Sequence, residues 1–160
     1  MSESNPITIR PAHADEAEAI VALIHRAFAQ YRGRLQPESS ALSEDADKIR
    51  ALIAQGVVLV AMEGGQVTGC VSIQRKPDCI YAGRLAVDPA ARGKGTGRAL
   101  MAAAEDVARS LGRGPLRVEV RLVLTENRAF FRSLGFVEGT HHRHPGFAEP
   151  TYVELEKILS

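Results

Sequence analysis

The chain has 160 residues, of which 45% are hydrophobic, enough to bury one core but too few for two ordinary domains. Its 20 lysines and arginines nearly balance its 19 aspartates and glutamates, so the net charge of +1 argues against a nucleic acid or a membrane surface as partner. Residues 1–6 are polar, and no apolar run reaches the ~18 residues of a membrane helix. We therefore expect a single soluble, cytoplasmic domain spanning residues 1–160.

The two cysteines, Cys70 and Cys79, show neither the Cys-x-x-Cys spacing of a metal or redox site nor a secretory context. We expect both to be free thiols.

The first third of the chain predicts a short strand followed by two helices. An extended segment at residues 7–11 precedes a helix over residues 20–28, where apolar residues recur at i, i+3, i+4, i+7 and i+8. Residues 31–45 show no period and predict a surface connection. A second helix follows around residues 49–53, and Gly56 is expected to end it.

The middle of the chain predicts three strands and a long helix. A β-branched run at residues 57–62 and an alternating run at 67–73 flank a turn at 63–66, the pattern of a hairpin. Residues 80–87 predict a further strand, and residues 99–111 a helix with one apolar face.

The last third predicts a strand at residues 116–124, a short helix at 125–134 stopped by Gly135, and two strands at 136–144 and 151–158. The full order is βααβββαβαββ, which predicts an α/β domain with a mixed sheet.

A glycine-rich loop at residues 92–97 joins the strand that ends at Val87 to the following helix. Its three glycines, Gly93, Gly95 and Gly97, let the backbone approach a ligand closely. The N–H groups at a helix N-terminus form an anion site, so a phosphate ester fits this position.

Two common phosphate loops do not fit the spacing. A Walker loop needs Ser or Thr directly after Lys94, where Gly95 stands. The dinucleotide fingerprint needs a third glycine where Arg98 or Leu100 stands.

A third pattern does fit, because Arg-x-x-Gly-x-Gly follows Leu-x-Val-x-Pro. The matching residues are Leu85, Val87, Pro89, Arg92, Gly95 and Gly97. Residues 127–136, which end in Gly135-Phe136, form a second matching block. Together they resemble the acetyl-CoA site of the GNAT superfamily of N-acetyltransferases, and the resemblance covers essentially the whole chain. It implies a mostly antiparallel central sheet flanked by helices.

The resemblance also implies which residues bind acetyl-CoA. The backbone of the strand before the loop would pair with the pantetheine arm, and the amides of the loop would hold the pyrophosphate. Asn127 would contact the cofactor arm, and the two phenylalanines of the second block would lie beside the thioester. The full predicted set is Leu85, Ala86, Val87, Arg92, Gly93, Lys94, Gly95, Thr96, Gly97, Arg98, Asn127, Phe130 and Phe131.

Some of these residues have a second interpretation. Phe130 and Phe131 stand at helical spacing with Leu134 and could instead be core residues. Lys94 and Arg98 could be solvated side chains rather than phosphate ligands.

The expected reaction is direct attack of a neutral amine on the thioester, assisted by a base and an oxyanion donor. Many family members carry a tyrosine four residues before the glycine of Gly-Phe to protonate the thiolate, but here that position is Phe131. We therefore assign no catalytic residue. Glu119 and His142 are candidate bases, although each could be an exposed strand position. The side chains of Tyr81 and Arg84 could face the acceptor site, or they could only pack against neighbouring residues.

We expect no metal site. His141, His142 and His144 on a strand would send neighbours to opposite faces, and no acidic or thiol partner stands at ligand spacing.

The sequence thus predicts transfer of an acetyl group from acetyl-CoA to a primary amine of a small molecule or protein. The alternative is a non-catalytic acyl-CoA sensor, and transfer of a longer acyl group also stays open. By analogy with relatives alone, we expect a homodimer. The acceptor would be shaped by residues 31–45 and by the hairpin near Pro145, where no motif constrains the sequence.

Overall fold

The computed structural model of the chain describes residues 6–112 and 114–159; the polar segment noted at residues 1–6 lies outside this part except for Pro6. The described residues form seven strands and four helices in the predicted order βααβββαβαββ. The strands are β1 (Thr8–Pro11), β2 (Val57–Glu63), β3 (Gln66–Arg75), β4 (Ile80–Val87), β5 (Leu116–Arg121), β6 (Val137–His142) and β7 (Tyr152–Lys157). The helices are α1 (Ala17–Phe28), α2 (Ala46–Gln55), α3 (Thr96–Leu111) and α4 (Thr125–Ser133).

The strands form one sheet in the order β1-β2-β3-β4-β5-β7-β6, antiparallel except for the pair β4 and β5. This confirms the mixed, mostly antiparallel sheet. The parallel pair is short, because only Ile80 with Leu116 and Tyr81 with Arg117 are in register. Beyond them the two strands part toward their carboxyl ends and leave an opening in the sheet.

The helices cover both faces of the sheet, and β2 contributes to both cores. Val58 and Val60 pack with α1 and α2, whereas Leu59 and Ala61 pack with α3. Successive side chains of a strand point to opposite faces, so a strand buried on both sides reads as a continuous apolar run. This explains why residues 57–62 show no polar alternation.

Among the element boundaries that differ from the sequence prediction, two lie beside the glycine loop and helix α4. Helix α3 begins at Thr96 rather than at residue 99, because Gly95 adopts a left-handed conformation as its N-cap and accepts a hydrogen bond from Ala99 N at 3.0 Å. Strand β5 ends at Arg121 rather than at residue 124, since Leu124 N donates to the Arg121 carbonyl and turns the chain into α4. The glycine loop is thus shorter and the helix N-terminus nearer to β4 than predicted.

Within the described residues, Cys70 and Cys79 are buried free thiols, as predicted. No helix in this part of the chain has the length and apolar character needed to cross a membrane.

Candidate functional site

A cavity of about 750 Å³ lies where β4 and β5 part, a volume typical of small-molecule sites. One side is residues 82–87 of β4 with the glycine loop and the start of α3, and the other is residues 118–121 of β5. All the predicted cofactor residues except Lys94 line it. They are Leu85, Ala86, Val87, Arg92, Gly93, Gly95, Thr96, Gly97, Arg98, Asn127, Phe130 and Phe131.

Strand β4 carries a bulge where it borders the cavity. Its register with β3 slips by one residue between Ala86 and Gly83, and Arg84 between them has a positive φ of 53°. The carbonyls of Gly83 and Arg84 accept from Ser72 Oγ at 3.1 Å and from Cys70 Sγ at 3.3 Å. Side chains of β3 therefore hold the irregular backbone in place.

The Arg84 side chain fixes the bulge from the other direction. Its Nε donates to Glu44 Oε2 at 2.7 Å, and its Nη2 donates to Ser40 Oγ at 2.9 Å. Glu44 is only 7% exposed and lies in the segment between α1 and α2. Arg84 thus ties that segment to the cavity edge instead of offering a free charge.

The glycine loop and the first turn of α3 form an anion site. Gly93 and Gly95 have φ values of 83° and 80°, and no atom lies within 4 Å of where their Cβ atoms would be. Thr96 is 2% exposed, and its Oγ1 is the buried side-chain polar atom without a partner among the described residues. Buried hydroxyls are normally satisfied, so an orphan at a helix N-terminus on a cavity wall fits a phosphate oxygen as its partner.

The basic residues of the loop behave differently from one another. Lys94 lies outside the cavity lining, and its Nζ pairs with Glu63 Oε1 at 2.9 Å. Arg98 lines the cavity and lies 5.8 Å from the centroid of the Phe130 ring. Arg92 lines it too and donates to a main-chain carbonyl at the end of α1. The cations available to phosphates are therefore Arg92 and Arg98.

Helix α4 closes the cavity with aromatic rings and one amide. Phe131 is 7% exposed and contacts Phe130 and Phe136 edge to face at centroid distances of 5.2 and 5.6 Å. It is thus a core residue that also lines the cavity. Asn127 Nδ2 donates to the Tyr31 hydroxyl at 3.5 Å, a weak contact that joins α4 to the end of the α1 region.

Of the two candidate bases, the cavity contains only Glu119. The Tyr81 hydroxyl donates to Glu119 Oε1 at 3.3 Å. Burial, followed by the Glu119 charge, raises the pKa of Tyr81, so its hydroxyl stays protonated and keeps donating. His142 instead pairs with Glu154 Oε1 at 2.9 Å and stacks on Tyr152, outside the lining.

His144 lies on the cavity wall beside Glu119. Burial lowers its pKa, and the Arg121 charge lowers it further while the Glu119 charge opposes the shift. The imidazole therefore favours its neutral form and lies within electrostatic range of both charged residues of β5.

The lining includes part of the segment 31–45 that was expected to shape the acceptor site, at Tyr31, Leu35, Ser39 and Ser40, and residues 143–145 of the hairpin near Pro145. Sequence reasoning did not single out Arg121 and Tyr152, which also line the cavity. Arg121 stands two positions from Glu119, and strand alternation predicts that both face the same side. No comparable signal was available for Tyr152, because it lies on a strand far from Glu119 in the sequence and belongs to no motif.

The family model described as an acetyltransferase (GNAT) domain matches residues 54–138, which include the glycine loop and α4. No sequence among the curated proteins is significantly similar to the chain.

Solved structures give close matches of fold. YncA of Salmonella typhimurium, solved with its cofactor acetyl-CoA, is 25% identical with a TM-score of 0.77, and the match covers 98% of this chain and 95% of that one. The ribosomal-protein-S18-alanine N-acetyltransferase of Escherichia coli is 21% identical with a TM-score of 0.77, covering 97% and 95%. The PaiA N-acetyltransferase of Thermoplasma acidophilum, in complex with coenzyme A, is 18% identical with a TM-score of 0.77, covering 95% and 99%.

Proposed function

Because this chain belongs to the GNAT acetyltransferase family, we propose that its cavity positions acetyl-CoA and a primary amine for direct acetyl transfer. The chain is an acetyl-CoA-dependent acetyltransferase, and its acceptor is an amine. The alternative from the sequence, a non-catalytic acyl-CoA sensor, finds no support in the comparisons.

The observation that carries the assignment of the donor site is the orphan hydroxyl of Thr96 beside the open glycine loop. The amides of residues 92–98, with the guanidinium groups of Arg92 and Arg98, bind the pyrophosphate. The backbone of residues 85–87 binds the pantetheine arm, with Asn127 on the facing helix. Bound acetyl-CoA supplies the activated thioester, which Phe130 and Phe131 screen from water.

Glu119 acts as the general base. It lines the cavity, and the Tyr81 hydroxyl orients its carboxylate. The carboxylate takes a proton from the acceptor ammonium, which leaves the neutral amine needed for attack. The negative charge that develops on the leaving thiolate has no proton donor at position 131, because Phe131 has no proton to give.

The cysteines support direct transfer rather than an acetylated enzyme. Neither Cys70 nor Cys79 lines the cavity, and burial raises the pKa of Cys70 to about 12. Cys70 Sγ also donates to the Arg84 carbonyl. A buried, protonated thiol is a poor nucleophile.

We place this activity in the cytoplasm, in one domain spanning residues 1–160, with a small-molecule or protein amine as acceptor. The homodimer expected from the resemblance stays a prediction.

The purified protein tests the proposal when it is incubated with acetyl-CoA and a broad panel of amines. Release of free CoA thiol, with mass spectrometry of the products, should identify at least one acetylated amine. Calorimetry should detect acetyl-CoA binding with one site per chain. Binding without CoA release above background for any amine would contradict the enzymatic function.

A further inference from the structure

Strand β5 places opposite charges side by side on the cavity wall. Glu119 and Arg121 are two residues apart, so their side chains leave the same face of the strand roughly 7 Å apart at the backbone. Both line the cavity, and the His144 imidazole responds to both charges. One end of the cavity therefore offers a carboxylate and a guanidinium to the same ligand.

Arg121 differs from its neighbour Arg117 on the same strand. Arg117 pairs with Asp78 at 2.9 Å and Glu156 at 2.6 Å. Arg121 makes no ion pair with a described residue, and its Nη2 donates only to the Glu38 carbonyl at 3.2 Å.

The environment of Arg121 disfavours its charge. Burial lowers its pKa, and the Glu38 charge opposes that shift without cancelling it. The exposed Glu38 carboxylate forms no ion pair with Arg121, and its Oε1 accepts from Gly33 N at 2.6 Å. A partly buried guanidinium without a carboxylate partner is costly unless a bound anion supplies one. A carboxylate suits this site best, since the planar guanidinium binds it in a bidentate manner.

We propose that the acceptor is a small zwitterion, a molecule whose primary amine meets Glu119 and whose carboxylate meets Arg121. This inference rests on the proposed function and names its acceptor class. A polyamine does not suit the wall, because Arg121 and Arg143 would repel its second charge.

The test compares matched acceptors that differ only in the anionic group. Two trios serve: leucine, leucinamide and 3-methylbutylamine, and phenylalanine, phenylalaninamide and phenethylamine. Values of kcat/KM are measured from CoA release and corrected for the fraction of unprotonated amine. We expect the wild-type protein to prefer the carboxylate member by about 10-fold or more.

Variants assign the preference to Arg121. Arg121→Met should reduce the ratio of kcat/KM for the acid to kcat/KM for the amide to about one, and Arg121→Lys should keep part of the preference. Arg50→Met, the same change at an arginine on α2 that pairs with Asp47, should leave the ratio unchanged. The affinity for acetyl-CoA, measured by calorimetry, checks that each variant is folded.

Three outcomes contradict the inference in distinguishable ways. If the wild type acetylates the amides or plain amines as well as the acids, the proposed function stands and the zwitterion is wrong. If Arg121→Met still prefers the acid over the amide, Arg121 does not bind the carboxylate of the acceptor. Failure to acetylate any amine contradicts the proposed function itself, and the inference with it.

Discussion

The two walls of the cavity are built in different ways. We define the donor wall as the cavity-lining residues of β4 (82–87), of the glycine loop and of the first turn of α3, which exclude Lys94. We define the acceptor wall as residues 118–121 of β5, residues 143–145 and Tyr152. The donor wall presents mostly backbone and small side chains, whereas the acceptor wall presents charged and aromatic side chains.

The interactions that hold the two walls in place also differ, with close packing behind the donor wall and ion pairs behind the acceptor wall. Behind the donor wall, Gly69 of β3 lets α3 pack closely, because a Cβ there would be 2.8 Å from Leu100 Cδ1. The acceptor wall is braced by ion pairs of β5, β6 and β7, such as Arg117 with Glu156. We therefore expect recognition of the donor to depend mainly on backbone conformation, with Arg92 and Arg98 adding charge, and recognition of the acceptor to depend on charged side chains.

The largest expected effect tests whether the donor wall depends on its backbone. Gly95→Val places a β-branched residue at φ 80°, where an L side chain costs about 1–2 kcal/mol, and it disturbs the N–H groups that begin α3. We expect acetyl-CoA affinity, measured by calorimetry, to fall about 100-fold.

The matched control is Gly65→Val, in the turn between β2 and β3. Gly65 has φ 79° and equally open surroundings, but it does not line the cavity. It should cost similar stability and leave the affinity unchanged. Lys94→Met should change the affinity less than about 2-fold, because Lys94 pairs with Glu63 outside the cavity. Equal loss of affinity in both glycine variants would contradict the backbone role of the loop.

The second-largest expected effect tests whether the general base lies on the acceptor wall. Glu119→Gln keeps the size of the side chain but removes the base, so kcat should fall about 100-fold at neutral pH while the affinity for acetyl-CoA stays the same. Because the lost step is removal of a proton from the ammonium, activity should recover as pH rises toward the pKa of the acceptor amine. Steady-state rates over a range of pH values measure this.

Tyr81→Phe provides the comparison for this second effect. It removes the hydroxyl that donates to Glu119 but keeps the ring, so it should lower kcat by less than Glu119→Gln does. If Glu119→Gln has the wild-type kcat at neutral pH, Glu119 is not the general base.

The two walls also differ in how far the sequence predicts them. Glycines at 93, 95 and 97 imply a backbone conformation directly, so the donor wall was predicted except for the start of α3, the direction of Lys94 and the bulge at Arg84. The order of elements followed from periodicity, because both faces of the sheet are covered by helices with clear apolar faces.

On the acceptor wall, the sequence indicated Glu119 and the hairpin near Pro145 but not the other residues. Tyr152 and His144 reach it through the pairing of β7 with β5 and β6. These contacts depend on pairings between residues far apart in the sequence, which local patterns do not encode. The bulge at Arg84 was also not predicted, since its left-handed conformation is held by Glu44, Ser72 and Cys70 rather than by a glycine.

The smallest expected effect tests whether charge holds the elements beside the acceptor wall. Glu138 of β6 accepts from Arg128 at 2.8 Å and from Arg132 at 2.7 Å, which ties α4 to the sheet. The hydrogen bond from Arg128, aided by Arg132, lowers the pKa of Glu138 from its ordinary 4.5 to about 2. Because the folded pKa lies below the unfolded one, the stabilisation is complete above about pH 5 and is lost as pH falls toward 2.

We therefore expect Glu138→Gln to lower the free energy of unfolding by about 1 kcal/mol at pH 7, and by progressively less between pH 5 and pH 3. Urea denaturation followed by circular dichroism at several pH values measures the difference. Glu149→Gln, at an exposed position without an ion pair among the described residues, should show no such pH dependence. A Glu138→Gln deficit of the same size at pH 7 and pH 3 would mean that packing, rather than charge, holds α4 against β6.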